Sequence, residues 1–309
     1  MTTIFFHSDL DDPKEWQAAL QSALPTIDFI VGPECELPEA VDVALVWTPP
    51  PQGLRAFPNL KAVLSLGAGV DQLCLADLDT RIPVARLIDD TLTQRMVEYC
   101  LTAVFYFHRN MHLHAMHQAK RQWTFVPPVS ASSRRVLVMG LGQLGSAVAS
   151  SLVQHGFRVT GWSRRPKQIA GADCCHGDDA LTQALGTCDV VINLLPLTAQ
   201  TAGLLNLDFF TRLRPQACLV QVGRGGHLVE ADLLGALDQG QLAGAFIDVF
   251  NIEPLPDAHP FWSHPLLRLT PHVASLSDPT ESVTTVVENI RRAMRGDALR
   301  NSIDRTVGY

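Results

Sequence analysis

A short apolar run, residues 135–139 (RVLVM), empties directly into Gly140-Leu-Gly142-Gln-Leu-Gly145, and a helix-forming stretch, 146–154, follows. Glycines at this spacing, between a strand and a helix, leave few alternatives. Gly140 permits a tight turn, Gly142 lets the backbone approach a pyrophosphate, and Gly145 lets the helix lie close to the strand. The amides at the helix N-terminus then attract the anion. A glycine-rich turn by itself is common. Here it has a strand before it, a helix after it and a second strand at 158–162. It therefore reads as a dinucleotide-binding βαβ unit, with Gly140, Gly142, Gln143, Leu144 and Gly145 as the contacts.

The same alternation fills the chain. Apolar runs at 4–6, 27–31, 43–47, 62–66 and 84–87 are separated by helix-like stretches and by Pro25, Pro33 and Pro49 to Pro51. A second series lies at 136–139, 158–162, 190–195, 218–222, 245–249 and 267–269. Strands alternating with helices imply parallel sheets covered on both faces. A length of 309 residues accommodates two such units. The expectation is an α/β fold of two doubly wound parallel-sheet domains, Rossmann- or flavodoxin-like, with the active site in the cleft between them. Residues 1–97 plus 285–309 would form a substrate-binding domain, and 98–284 the dinucleotide-binding domain. One long helix is expected from near Thr91 past Met111, then an extended, proline-rich segment at 123–128. A last helix, from about Asp278 to Arg295, would return the chain to the first domain.

Composition narrows the class. A net charge of −7 gives no basic footprint for nucleic acid. A hydrophobic fraction of 47% with 18% charged residues suits a soluble protein with a full core. The seven cysteines are scattered, and the adjacent Cys174 and Cys175 form no CxxC clip, which points to reduced thiols in the cytoplasm. The N-terminus lacks the basic and apolar regions of a signal peptide. No uncharged run approaches the roughly 18 residues needed to span a bilayer.

The second strand of the βαβ unit selects the dinucleotide. NAD enzymes place an acid about 20 residues beyond the glycines, on the ribose 2′-hydroxyl. Here that strand ends in Ser163-Arg164-Arg165-Pro166-Lys167, with no acid. Ser163 can donate a hydrogen bond, and Arg164 and Arg165 can clamp a 2′-phosphate. The alternative is a solvated basic loop. NADP, with NADPH preferred over NADH, is the expected cofactor.

Three further segments each set a functional side chain just beyond an apolar run: Gly223-Arg224-Gly225-Gly226, Asp248 to Glu253-Pro254, and Thr270-Pro271-His272. Singly these are a surface arginine, a turn carboxylate and a loop histidine. Together with GLGQLG, LLPLTAQT (194–201), DVFNIEPLP and TPHVAS, they make the whole chain strongly resemble the D-isomer-specific 2-hydroxyacid dehydrogenase family. Within it the closer resemblance is to the reductases of glyoxylate and hydroxypyruvate, through VWTPP (46–50), GWSR (161–164), VINLLP (191–196) and IDRTVGY (303–309). The family's usual Thr-x-x-Val-Ala-Glu helix start here reads Thr93-Gln-Arg-Met96-Val97-Glu98, another departure that resembles this subgroup.

That resemblance implies NADPH-dependent reduction of small 2-oxo acids, glyoxylate to glycolate and hydroxypyruvate to D-glycerate. His272 would be the general acid, because an imidazole titrates near pH 6.5. Glu253 would accept a hydrogen bond from its other nitrogen, and Arg224 would hold the substrate carboxylate and carbonyl. Leu195, Pro196, Thr201, Val222, Gly223 and Asp248 would line the dinucleotide. Met96 either touches the nicotinamide or merely packs its helix. The glycine loop at 66–71 offers backbone amides to a carboxylate, and the resemblance supports Ala68 and Gly69 in that role. Trp47 either walls the substrate pocket or is a core tryptophan. Relatives in this family are usually homodimers joined through residues 101–130, and the same is expected here.

His108, His112, His114 and His117 crowd one stretch, but without HExxH or a carboxylate they do not form a metal ligand set, and none is expected. A solvated or interface helix face accounts for them. Two other functions stay open: a reductase of a bulkier D-2-hydroxy acid, or a dinucleotide-sensing binding protein of the same fold.

Overall fold

The computed structural model describes residues 1–305, so 306–309 of the IDRTVGY stretch lie outside the described residues. The chain divides into two compact units, Met1–Leu92 with the chain from Leu276, and Thr93–Ser275. The divisions expected from the sequence, 97/98 and 284/285, lie five and nine residues further along the chain.

The first unit is built on β1 (Thr2–His7), β2 (Ile27–Val31), β3 (Val43–Val46), β4 (Ala62–Ser65) and β5 (Val84–Ala85). They form a parallel sheet in the order β2-β1-β3-β4-β5, the flavodoxin-like arrangement. Every residue of β3 and β4 is buried, as in a sheet covered on both faces, and this is why the strands read as unbroken apolar runs. Helix α1 (Pro13–Ala23) starts where the Asp12 side chain accepts from the Lys14 amide, with Pro13 in the first turn. It buries Trp16 and Leu20, and burying a side chain such as Leu20 contributes roughly 1.5–3 kcal/mol.

Helix α2 spans Asp90–His108 and α3 spans Met111–Ala119. The single helix expected past Met111 is therefore broken. Asn110 sits at φ 54°, a left-handed conformation that asparagine tolerates and a helix cannot continue through. The apolar spacing carries on across the break and conceals it. The solvated-face alternative fails for two of the histidines. His108 and His112, 7% and 6% exposed, are not on a solvated face. Their rings meet Phe157 at 5.2 Å and Phe107 at 5.4 Å, beside a cavity of about 170 Å³ that Arg134 and Asp189 also line. Burial, reinforced by the charge of Arg134, pushes His112 down to about 4, so it packs as a neutral ring. Among the described residues no group of three or more potential ligands could hold a metal ion.

The second unit continues with β6 (Arg135–Met139), α4 (Gln143–Gln154), β7 (Arg158–Trp162), β8 (Asp173–Cys175), α5 (Asp178–Leu185) and β9 (Val190–Asn193). Then come α6 (Leu207–Arg212), β10 (Ala217–Gln221), α7 (Glu230–Asp238), β11 (Leu242–Ile247) and β12 (Leu267–Leu269). All seven strands are parallel, in the order β12-β11-β10-β9-β6-β7-β8. This is the Rossmann order with one strand added. The sheet reverses its winding between β6 and β9, which opens a crevice at their C-terminal ends. Strand β8 escaped the sequence reading because it is a three-residue edge strand beginning with an exposed aspartate.

The chain returns to the first unit through α8 (Pro279–Arg295), whose first amides are capped by the Asp278 carboxylate. Val286, Val287, Ile290 and Ala293 line one face of α8 and are buried in that unit's core, where α8 packs on α1. Among the described residues no helix is long and apolar enough to cross a membrane, and all seven cysteines are free.

Candidate active site

The Gly140 turn lies at the crevice between β6 and β9. Gly140 has φ 100°, and a Cβ there would lie 2.7 Å from the Leu194 carbonyl oxygen. A Cβ on Gly145 would lie 1.8 Å from the Gly140 oxygen, so both positions demand glycine. Gly142 differs: nothing lies within 4 Å of its would-be Cβ, and no side chain caps α4 there. Open space over uncapped helix amides is what a pyrophosphate needs. Gln143, exposed, and Leu144, half-buried, begin the same helix. The contrast makes a prediction. Gly145→Ala should cost about 3 kcal/mol, lowering Tm by roughly 6–12 °C. Gly142→Ala should leave Tm within about 2 °C yet weaken dinucleotide binding. Thermal melts with and without NADPH distinguish the two.

Beyond β7, the Ser163 hydroxyl donates to the Arg165 carbonyl at 2.7 Å, bending the chain so that Arg164 and Arg165 are both exposed. No acid occupies the end of this strand. After β9, Thr201 closes its own loop: its hydroxyl accepts from the Thr198 amide at 2.8 Å and donates to the Pro196 carbonyl at 2.7 Å. Thr201 thus shapes the Leu195 and Pro196 wall. Met96 is buried along α2, its sulfur 3.8 Å from the Cys100 sulfur.

His272 and Glu253 come together at the C-terminal edge of the same sheet. His272 Nδ1 lies 2.8 Å from Glu253 Oε2, and the other carboxylate oxygen accepts from the Phe250 amide at 2.9 Å. Burial pushes the Glu253 carboxyl up, but these hydrogen bonds and the positive charges of His272 and Arg224 outweigh it and hold it below its ordinary value. Glu253 is therefore ionised near neutrality. His272 is itself in the left-handed region, at φ 55°. Asp248 fixes that turn from beneath. Its Oδ1 accepts from the Thr270 hydroxyl (2.6 Å) and the Val273 amide (2.9 Å), and its Oδ2 from the Ala274 amide (2.9 Å). Burial raises the Asp248 carboxyl, and these three donors oppose the rise. Thr270 in turn accepts from the Tyr99 hydroxyl at 2.5 Å. The Asp248 oxygens thus brace the His272 turn, a task the sequence did not reveal.

Arg224 follows β10, with Val222 and Gly223 buried beneath it. The residues that seat it were missed by sequence reasoning. Asn193 Nδ2 donates to Gln221 Oε1 at 2.8 Å, and Gln221 Nε2 donates to the Arg224 carbonyl at 2.8 Å. The Arg224 amide donates to His227 Nδ1 at 3.0 Å, while His227 Nε2 lies 3.2 Å from the Pro196 carbonyl. Asn193, Gln221 and His227 are all completely buried. One signal was available: Asn193 and Gln221 are polar ends to otherwise apolar strands.

In the first unit, the loop after β4 is tied by the Ser65 hydroxyl, which donates to the Gly69 carbonyl at 2.8 Å. Among the described residues the amides of Ala68 and Gly69 have no hydrogen-bond acceptor. Trp47, half-buried, lies over this loop, so close that a Cβ on Gly67 would lie 2.7 Å from its ring.

A GxGxxG turn at the switch point of a Rossmann sheet, with a histidine–carboxylate pair and an arginine at the same edge, defines a dinucleotide-dependent oxidoreductase. Residues 101–274 match the NAD binding domain of D-isomer specific 2-hydroxyacid dehydrogenases, and the chain belongs to that family. A glyoxylate/hydroxypyruvate reductase A of Photorhabdus laumondii is 39% identical over 100% of both chains. A D-isomer specific 2-hydroxyacid dehydrogenase of Xanthobacter autotrophicus Py2, solved with NADPH and MES, superposes with a TM-score of 0.94 at 40% identity, covering 100% of this chain and 99% of that one. An NADPH-dependent glyoxylate/hydroxypyruvate reductase of Sinorhizobium meliloti, solved with NADP and sulfate, gives a TM-score of 0.92 at 34% identity over 100% of both.

Proposed function

We propose that the chain is an NADPH-dependent reductase of small 2-oxo acids, turning glyoxylate into glycolate and hydroxypyruvate into D-glycerate. The observation that carries this reading is the His272–Glu253 pair, 2.8 Å apart at the sheet edge that also bears the Gly140 turn. The relatives named for these two activities support the choice of substrates.

When bound, NADPH would supply the hydride for the substrate's carbonyl carbon. Negative charge then develops on the carbonyl oxygen, and His272 Nε2 delivers a proton there. Glu253, ionised, orients the ring through its 2.8 Å contact with Nδ1. Arg224 holds the substrate carboxylate bidentately and turns the carbon to the attacking face. The amides of Ala68 and Gly69 are proposed to share that carboxylate, and Trp47 to limit the acid's size. Gly142, Gln143 and Leu144 would meet the pyrophosphate. Leu195, Pro196, Thr201, Val222, Gly223, Met96 and Asp248 would lie along the dinucleotide, and Ser163, Arg164 and Arg165 would take the 2′-phosphate.

The loss of NADPH absorbance, and separately of NADH, with a panel of 2-oxo acids tests this. Turnover of glyoxylate or hydroxypyruvate with NADPH preferred is expected; tight NADPH binding without turnover on any acid would overturn it. Replacing both Arg164 and Arg165 with Ala should raise KM for NADPH by roughly 10-fold to 100-fold and change that for NADH less than about threefold. Glu253→Gln should lower kcat for glyoxylate by roughly tenfold, because the ring loses the carboxylate that orients it through Nδ1, and an unchanged kcat would exclude Glu253 from that role.

Two further properties belong to this proposal. The chain is placed in the cytoplasm, in keeping with its seven free cysteines. It is a homodimer joined through residues 101–130, a segment on which Trp123 and Phe125 are strongly exposed. A monomer by sedimentation would refute the second statement.

A further inference from the structure

We propose that His227 is a positioning residue: it locks the backbone of Arg224 to the Leu195 and Pro196 wall, so that the substrate-holding arginine is set by the dinucleotide site itself. The proposal rests on reading Arg224 as the carboxylate-binding residue.

His227 is completely buried; its Nε2 faces the Pro196 carbonyl, and its Nδ1 lies 3.0 Å from both the amide nitrogen and the carbonyl oxygen of Arg224. The Pro196 carbonyl, 3.2 Å from Nε2, can only accept, so Nε2 carries the proton. In a neutral imidazole Nδ1 is then an acceptor, and it faces the Arg224 amide at 3.0 Å. One tautomer satisfies both. The Arg224 carbonyl accepts from Gln221 Nε2 at 2.8 Å and from the His227 amide at 3.1 Å, and Gln221 is held by Asn193 at the end of β9. Both backbone polar atoms of Arg224 are thus fixed by fully buried side chains. The Pro196 carbonyl that receives His227 also receives the Thr201 hydroxyl, at 2.7 Å. A shift of this wall is transmitted through one rigid ring to the root of the arginine. Buried polar chains of this kind are costly unless complete, and complete they hold a single geometry.

The test uses the ring's two nitrogens separately. Asn at 227 offers an acceptor where Nδ1 stands; Gln offers a donor where Nε2 stands. The readouts are the Kd of oxamate, an unreactive isostere of a 2-oxo acid, on the NADPH-loaded protein, the Kd of NADPH, and KM against kcat for glyoxylate. His227→Leu should weaken oxamate about tenfold and raise KM in proportion, with NADPH affinity changed less than about threefold. His227→Asn should restore oxamate binding to within about twofold of wild type, and His227→Gln should not. If His227→Leu fails to fold, the comparison of Asn with Gln carries the test alone. Variants that all bind oxamate as wild type does, or Asn and Gln variants equally impaired, would overturn the proposal. Wild-type protein that binds no oxamate and turns over no 2-oxo acid would instead overturn the reading of Arg224, and the positioning role with it.

Discussion

Replacing His272 with Asn should lower kcat for 2-oxo acid reduction by about 10²–10⁴ while leaving the Kd of NADPH within about twofold. Asn is the cleanest replacement because position 272 lies in the left-handed region, at φ 55°, where Asn is tolerated better than most residues. The main-chain turn should therefore survive, braced by the Asp248 carboxylate through the Thr270 hydroxyl and the Val273 and Ala274 amides. Only the proton donor is removed. Glu253 stays ionised in the variant, since the Phe250 amide and the charge of Arg224 still favour its anion. Stopped-flow measurement of the hydride step gives the loss directly, and isothermal titration gives the cofactor affinity. A variant that retains full kcat would show that another group supplies the proton. A variant that loses NADPH binding as well would show that His272 supports the cofactor site more than the chemistry.

The fold was legible because parallel sheets covered on both faces write themselves as apolar runs. β3, β4, β9 and β10 are buried throughout, and each stood out without alternation. The Gly140 turn was legible for another reason: its glycines answer steric demands that no other residue meets, as at Gly145. What stayed hidden lacked a local cause. Asn110 breaks the long helix with a single dihedral, and the surrounding apolar period is untouched. β8 is a short edge strand whose pairing with β7 comes from its neighbour more than from its own residues.

The site shows the same division. Arg224, Glu253 and His272 each follow a strand, so their placement along one sheet edge could be read from the order of motifs. The buried groups that brace them could not. Asp248 reads equally well as a cofactor ligand, and only the folded turn shows its oxygens engaged with 270–274. His227 looks like any histidine in a glycine-rich loop until both of its nitrogens are seen to face the main chain. A buried polar group is defined by what surrounds it, and that information is tertiary.

Arg224→Gln should raise KM for glyoxylate by roughly 10²-fold, corresponding to about 3 kcal/mol of lost binding to the carboxylate. Arg224→Lys should recover little of this. A lysine ammonium is a point charge, whereas the bidentate hold needs the planar fork of a guanidinium. Because the Arg224 main chain is held by Gln221 and His227, the backbone at 224 should stay in place in both variants, although the guanidinium's own bond to the Gly223 carbonyl, 2.9 Å, is lost with it. Loss of Arg224 also withdraws one positive charge from beside Glu253, whose carboxyl should then titrate closer to its ordinary value. The sign follows. A lowered carboxyl contributes stability above its unfolded value, and this is lost as pH falls through the lowered value. In Arg224→Gln that contribution should therefore be smaller, and its loss complete at a higher pH, than in the wild type. Initial rates over a range of glyoxylate concentrations, with melts across the acid range, measure both effects. An unchanged KM would remove Arg224 from the substrate site, and an unchanged acid limb of the melts would remove its field from Glu253.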